Sequence, residues 1–193
     1  MSTSLLYHGF GIVGYQYVSQ RFQGGQVTFR IRQPRERLRC PQCDCDDVWV
    51  RGHEERTFRM VPIGSKPTFL TLDVARVWCP VCDSVRQVKI GFADPKKRYT
   101  RYFERYALEL SRHMTIKAVA QHLQISWDTV KEIQKQHLER HYANPKLKHL
   151  KEIAIDEICV GKKRFLTTVL DLRTGAVVFV GKGRGGDALE PFW

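Results

Sequence analysis

Apolar side chains change their spacing twice along this chain of 193 residues. In the first part they alternate: Val27, Phe29 and Ile31 take every second place between Thr28, Arg30 and Arg32, the period of a half-buried strand. Gly24-Gly25 just before them marks a turn. Further short runs follow at Val48-Trp49-Val50, Phe58-Arg59-Met60-Val61, Thr68 to Trp78 and Val85 to Ile90. Gly52 and Pro62-Ile63-Gly64 punctuate them, so several short strands are expected up to about residue 92.

Beyond Asp94-Pro95-Lys96-Lys97-Arg98, a basic run that reads as a linker, the period becomes helical. Thr100 can cap a helix with Phe103, Ala107 and Leu110 on one face. Thr115 can cap a second, whose Ile116, Val119, Ala120 and Leu123 fall at i, i+3, i+4 and i+7. Gln124-Ile125-Ser126 separates it from a third helix running from Trp127 to about Arg140, with Val130, Ile133 and His137 on one face. Small Ala120 lets the last two helices approach, and Ile125 and Val130 fill the corner, the core pattern of a helix-turn-helix. The first turn position prefers glycine for its left-handed backbone, and Gln124 stands there. Trp127 is expected as a core anchor. A plain helical hairpin in a bundle shows the same stripes, so periodicity alone does not decide between the two.

After the basic stretch Pro145 to Lys151 the spacing returns to that of strands. Ile153-Ala154-Ile155-Asp156-Glu157-Ile158, Phe165 to Leu172 and Ala176 to Val180 predict three antiparallel strands, with turns at Gly161 and Arg173-Thr174-Gly175. The acid in the first strand is similar to the start of an RNase H-like sheet, where such an acid binds divalent metal for two-metal phosphoryl transfer. An exposed-face carboxylate also explains it. If the hairpin turns near Gly161, Asp156 lies opposite Thr167, and Asp171 is four residues, roughly 13 Å, further along. That is too far for a shared metal. Gly181-Lys182-Gly183-Arg184-Gly185-Gly186 reads as a flexible turn before a helix rather than a nucleotide fingerprint.

Charge changes the picture. The chain carries 32 Lys+Arg against 20 Asp+Glu, net +12. Residues 95–151 hold 13 basic and 5 acidic side chains, a net +8, and five of the seven histidines. Residues 1–94 are at +4 and residues 152–193 at zero. Two thirds of the excess within one helical segment implies a polyanionic partner, because Lys and Arg gain affinity by releasing counterions from phosphates. Read as a recognition helix, the third helix would present Ser126 at its start and Asp128, Thr129, Lys131, Glu132, Gln134 and Lys135 outward. Gln134 suits adenine, the lysines guanine or phosphate, and Lys96, Lys97 and Arg98 further phosphates.

Two Cys-Pro-x-Cys knuckles, Cys40 to Cys43 and Cys79 to Cys82, add a metal. Four thiolates on two tight turns make the tetrahedral set that Zn²⁺ takes in closed structural sites. The 35 residues between the knuckles exceed the usual zinc-ribbon spacing, so a β-hairpin excursion is expected there. Cys45 and His53 are nearby spares, expected as bystanders, and Cys159 reads as a small core residue. Residues 1–20 lack a secretory pattern and no stretch reaches the ~20 apolar residues that span a bilayer. A cytoplasmic protein with reduced thiols and no membrane partner is the expectation.

The order of these pieces resembles bacterial insertion-sequence transposases of the ISL3 family. Cys40 to Cys43, Cys79 to Cys82, Phe92-Ala93-Asp94-Pro95, Arg105 to Arg112, Val119 to Ile133, Ile153 to Glu157 and Thr168 to Leu172 carry the resemblance. It covers the chain from about Leu6 onward. The resemblance implies an α+β chain in three parts. These are a β-rich zinc-binding domain at 1–92, a helix-turn-helix DNA-binding domain at 93–151, and an incomplete RNase H-like (DDE) domain at 152–193. It further implies binding to terminal inverted repeats in double-stranded DNA in a bacterial, nucleoid-associated setting, and Mg²⁺-dependent cleavage and joining by a full-length member. Asp156 would be the first acid of the triad.

Family members are longer, and by the resemblance their second Asp and final Glu lie beyond Trp193. The expectation is therefore a truncated transposase, inactive alone in cutting and joining. A DNA-binding regulator without catalysis, a zinc protein unconnected with DNA, and a homodimer all stay open at this point.

Overall fold

The chain is α+β, and in the computed structural model, which describes residues 5–145 and 147–193, it forms two compact units. One ends at Gln134 and the other begins at Lys135. The first contains α1 (Leu5–Phe10), β1 (Gln16–Gln23), β2 (Gln26–Arg32), β3 (Trp49–Ile63), β4 (Lys66–Cys79), β5 (Ser84–Gln87), α2 (Arg101–Leu110), α3 (Ile116–Leu123) and the start of α4 (Trp127–Tyr142). The second contains β6 (Ile153–Cys159), β7 (Phe165–Asp171) and β8 (Val177–Lys182). Lys146 of the basic run lies outside the described residues. Among the described residues no helix is long and apolar enough to cross a membrane.

β4 is the centre of the first sheet, whose order is β1-β2-β4-β3 with β5 also on β4. It pairs with β2 in parallel, Val27 opposite Thr68 through Ile31 opposite Leu72. It pairs with β3 as a long antiparallel hairpin, from Trp49 opposite Trp78 to Ile63 opposite Lys66. A strand held on both sides has no solvent edge, and most of β4 from Thr68 onward is buried. The alternation expected for β2 holds: Val27, Phe29 and Ile31 are buried between less buried neighbours. They pack with Phe58, Met60, Leu70, Leu72 and Val74 of the hairpin, Leu6 and Phe10 of α1, and Phe92.

The hairpin corrects the reading of short separate strands. Val48 to Val61 is not two runs divided by Gly52; β3 continues through it with a register shift between Val50 and Gly52. Gly52 sits at φ 146°, and a bulge tolerates such a residue without ending the strand. β5 is shorter than expected and stops at Gln87. β1 and α1 have no counterpart in the sequence reading, because every residue of β1 is exposed and shows no inward period.

A second apolar cluster joins Tyr99, Phe103 and Ala107 to Val119, Ala120, Leu123, Val130 and Ile133. Apart from Tyr99 these are residues the helical stripes predicted; the predicted Leu110 and Ile116 pack against them only half-buried, and His137 is half-buried outside the cluster. Residues 94–98, expected as a linker, are hydrogen-bonded to β3. The Arg59 amide donates to the Arg98 carbonyl at 2.8 Å, and the Thr100 amide to the Arg59 carbonyl at 3.0 Å. Arg56 Nη2 reaches the Lys97 carbonyl at 3.0 Å.

In the second unit β6, β7 and β8 form an antiparallel sheet in sequence order. The register differs by one residue from the expected one: Asp156 faces Thr168, and Glu157 faces Thr167. Asp171 is then three residues from the partner of Asp156. An odd separation puts the two carboxylates on opposite faces of the sheet, a stronger reason against a shared metal than distance. Cys159, expected in a core, is exposed on the edge strand β6.

Candidate metal centre and nucleic-acid interface

The β3–β4 hairpin explains the long gap between the two knuckles. The chain leaves the first knuckle, runs out along β3 and returns along β4, whose last residue is Cys79. The second knuckle is the turn from β4 into β5. Both knuckles end in an aspartate with left-handed backbone, Asp44 at φ 60° and Asp83 at φ 42°. Aspartate is among the few L-residues that tolerate this region, so Cys-Pro-x-Cys-Asp, present twice, is a fuller turn signature than the cysteines alone. The Asp44 amide donates to the Cys40 carbonyl at 3.0 Å and closes the first turn.

The sulfurs of Cys40, Cys43, Cys79 and Cys82 all lie within 4.8 Å of one another. Cys43 and Cys79 are 3.5 Å apart, and Cys40 and Cys82 3.8 Å. A tetrahedron with Zn–S bonds of about 2.3 Å has edges of about 3.8 Å, so the set fits this ion. A disulfide needs about 2.05 Å. Amides of Cys43 and Gln42 hydrogen-bond to the Cys40 sulfur and lower it to about 6. Hydrogen bonding with Cys43, then burial, pushes Cys82 up to about 12. Four crowded thiols do not ionise together without a cation, and a divalent ion removes that conflict. Cys45, whose sulfur is 3.7 Å from the Asp47 carbonyl, and His53, exposed on β3, are outside this group.

The three helices carry the caps expected of them. Thr100 Oγ1 accepts from the Phe103 amide at 3.2 Å, Thr115 Oγ1 from Ala118 at 3.2 Å, and Ser126 Oγ from Thr129 at 3.2 Å. Between α3 and α4, Gln124 adopts the left-handed conformation at φ 53°, ψ 48°. The missing glycine therefore does not abolish the turn. The Ile125 amide closes it onto the Ala120 carbonyl at 3.0 Å.

α4 turns Val130 and Ile133 into the core and leaves Asp128, Lys131, Glu132 and Lys135 exposed, with Thr129 and Gln134 half-buried. The exposed residues are not equally available. The Ser126 and Thr129 hydroxyls bond each other at 2.8 Å. Lys135 Nζ is 3.8 Å from Glu139, and Lys97 Nζ is 3.7 Å from Glu132. Lys96, at φ 64°, and Arg98 remain exposed. Trp127 is not a core anchor: it is 54% exposed, with Lys131 Nζ 5.4 Å from its ring centre. Over the first two turns of α4 the inward places go to Val130 and Ile133, which leaves Trp127 on the outer face.

Sequence reading missed Arg59. It is 8% exposed, between the first sheet and the helices. Nη2 donates to the Leu123 carbonyl at 2.9 Å, at the end of α3. The guanidinium lies 4.8 Å from the Phe69 ring centre and 5.8 Å from that of Phe103. Burial lowers its pKa from the ordinary arginine value. The only sequence signal was a cation between Phe58 and Met60 in an apolar run.

In the second unit Asp156 is exposed, and one of its oxygens accepts from the Glu157 amide at 2.8 Å. Among the described residues no group of three or more potential ligands forms around it. Asp171 accepts from Thr174 Oγ1 at 2.7 Å and from the Arg173 amide at 3.1 Å, contacts that close its own turn and lower its pKa.

Comparison with known proteins covers both regions. Residues 36–82 match a family model described as the zinc-finger of transposase IS204/IS1001/IS1096/IS1165. Residues 88–138 match the helix-turn-helix domain of transposase family ISL3. The transposase for insertion sequence element IS1001 from Bordetella parapertussis is 23% identical over 188 residues. That alignment takes in 97% of this chain and 46% of the relative, so the chain spans about half the length of the curated protein it matches. No solved structure matches the fold.

Proposed function

We propose, for a chain that belongs to the ISL3 family of insertion-sequence transposases, that it is the DNA-binding part of such an enzyme. It recognises the terminal inverted repeats of its element in double-stranded DNA. The observation that carries this reading is α3 and α4 joined at a left-handed Gln124. This helix-turn-helix lies in the most basic segment of the chain. α4, with 16 residues, is about 24 Å long, enough to lie along a major groove. Lys131 and Gln134 are the side chains of α4 suited to base edges, and Lys96 and Arg98 to phosphates.

Cys40, Cys43, Cys79 and Cys82 hold a structural Zn²⁺ in this reading. The ion supplies folding free energy to the open end of the β3–β4 hairpin rather than chemistry. The parts at 1–92 and 93–151 then act together, since Arg59 and the 94–98 segment tie sheet to helices. The sheet from β6 to β8 is the start of an RNase H-like domain, with Asp156 as the first acid of a DDE triad. Mg²⁺-dependent cutting and joining belong to that whole domain. A cytoplasmic, nucleoid-associated location follows from the same reading.

A gel-shift titration on the element's terminal repeats tests this, with a shuffled duplex of equal length beside it. The repeat is expected to shift first, the shift to weaken after zinc is stripped by a chelator, and added Zn²⁺ to restore it. Equal affinity for repeat and shuffled duplex would sink the proposal.

A further inference from the structure

Residues 152–193 carry six basic and six acidic side chains, so their net charge is zero. The cations are nevertheless gathered. Five of the six, Lys162, Lys163, Arg164, Lys182 and Arg184, lie at one end of the β6-β7-β8 sheet. The first three form the β6–β7 turn. The other two meet it because Lys182 pairs opposite Leu166 and the Gly183 amide donates to the Phe165 carbonyl at 2.9 Å. No ion pair among the described residues takes up any of the five.

The two turns enclose an open cleft of about 820 Å³. Val160, Phe165 and Leu166 give it an apolar floor, and Lys163, Arg164, Lys182 and Arg184 a cationic rim. Arg184 is set over the Phe165 ring, 5.2 Å from its centre. The glycine-rich turn is anchored on both sides. The Gly185 amide donates to Glu157 Oε1 at 2.8 Å, and Thr167 Oγ1 to the Gly183 carbonyl at 3.1 Å. Lys162 and Lys163 are both left-handed, at φ 46° and 59°, positions that a tight hairpin normally gives to Asn or Gly. The sequence keeps two cations there at a conformational cost.

We propose that this cleft binds a single strand of DNA, with phosphates on the rim and unpaired bases against the floor. A duplex offers phosphates but keeps its bases stacked inside, which leaves an apolar floor without a partner. Cations beside exposed apolar and aromatic surface are the combination that single strands bind. The site uses no residue of the helix-turn-helix and stands or falls separately from terminal-repeat recognition.

The test is fluorescence anisotropy of the full chain with a labelled mixed-sequence DNA strand of about 12 nucleotides, titrated at several salt concentrations. Each phosphate contact on a single strand contributes about 0.7 to the slope of log affinity against log salt, so K163N/R164Q/R184Q should lower that slope by about 2. R164K/R184K should keep it, and terminal-repeat duplex binding should be unchanged in both. If the triple variant melts early, R184Q alone should lower the slope by about 0.7. An unchanged slope overturns the proposal. So does an equal loss from R21Q/K66Q/R86Q, which removes three cations elsewhere, and so does displacement of the strand by poly-glutamate as readily as by unlabelled strand.

Discussion

Gln124 sits where the turn demands a left-handed backbone, at φ 53°. For a residue with a Cβ this conformation costs roughly 1–2 kcal/mol, while glycine would lose somewhat more entropy on folding. Q124G is therefore expected to stabilise the protein by about 0.5–1 kcal/mol, read as a higher Tm, with DNA affinity unchanged. A lower Tm would mean that the glutamine side chain contributes something its backbone position does not reveal. Asp171 offers a pH test. Its folded pKa is depressed below 3.8 by the Thr174 hydroxyl and the Arg173 amide. The stabilisation is therefore present at neutral pH and is lost as pH falls through the folded value. D171N should melt below wild type at pH 7, and the two melting curves should converge in acid; a gap that persists there would exclude the carboxylate as its cause. Both residues were visible in the sequence. Gln124's role was legible because turn chemistry is local; the contacts of Asp171 with Arg173 and Thr174 are just as local and were open to the same reading.

At the scale of elements, what could be read was what repeats. The apolar stripes of α2, α3 and α4 and their Thr100, Thr115 and Ser126 caps are periodic or local signals, and the structure places each as expected. β3 and β4 were legible only as fragments, because Gly52 is a stop signal in sequence but a bulge within a long hairpin. β1 was illegible, since an edge strand exposed along its length has no inward face to give it a period. Trp127 misled because a large aromatic at helical spacing looks like core until the inward positions are filled by others. Arg59 joins elements 64 residues apart, a relation no local pattern records. R59A should destabilise by about 2–3 kcal/mol through the lost charged hydrogen bond and the cavity. R59M, which fills the slot without the unpartnered Nε and Nη1, should recover about half. Denaturant melts of the three proteins decide this. If R59A were as stable as wild type, the contact would contribute nothing to holding sheet and helices together.

For the molecule as a whole, metal, fold and partner are linked in one direction. The knuckles close the open end of the hairpin, and the hairpin carries Arg56 and Arg59. These hold the 94–98 segment and the end of α3, and α3 positions α4. Removing the metal should therefore act on DNA binding from a distance, without touching α4. C40S/C43S is expected to lose tightly bound zinc, to lower Tm, and to weaken the terminal-repeat shift. Zinc analysis and melting beside the gel shift check this, and a variant that binds the repeat like wild type would break the link between zinc and recognition. The central claim is that α4 reads a DNA sequence, and anisotropy with the terminal-repeat duplex against a shuffled duplex tests it most directly, using wild type and K131A/Q134A at one fixed salt concentration. The expected result is a preference for the repeat of about a thousandfold or more in wild type, falling by roughly 1–3 kcal/mol per lost base contact in the variant. Equal affinity of wild type for both duplexes, or a variant that keeps the full preference, would contradict it.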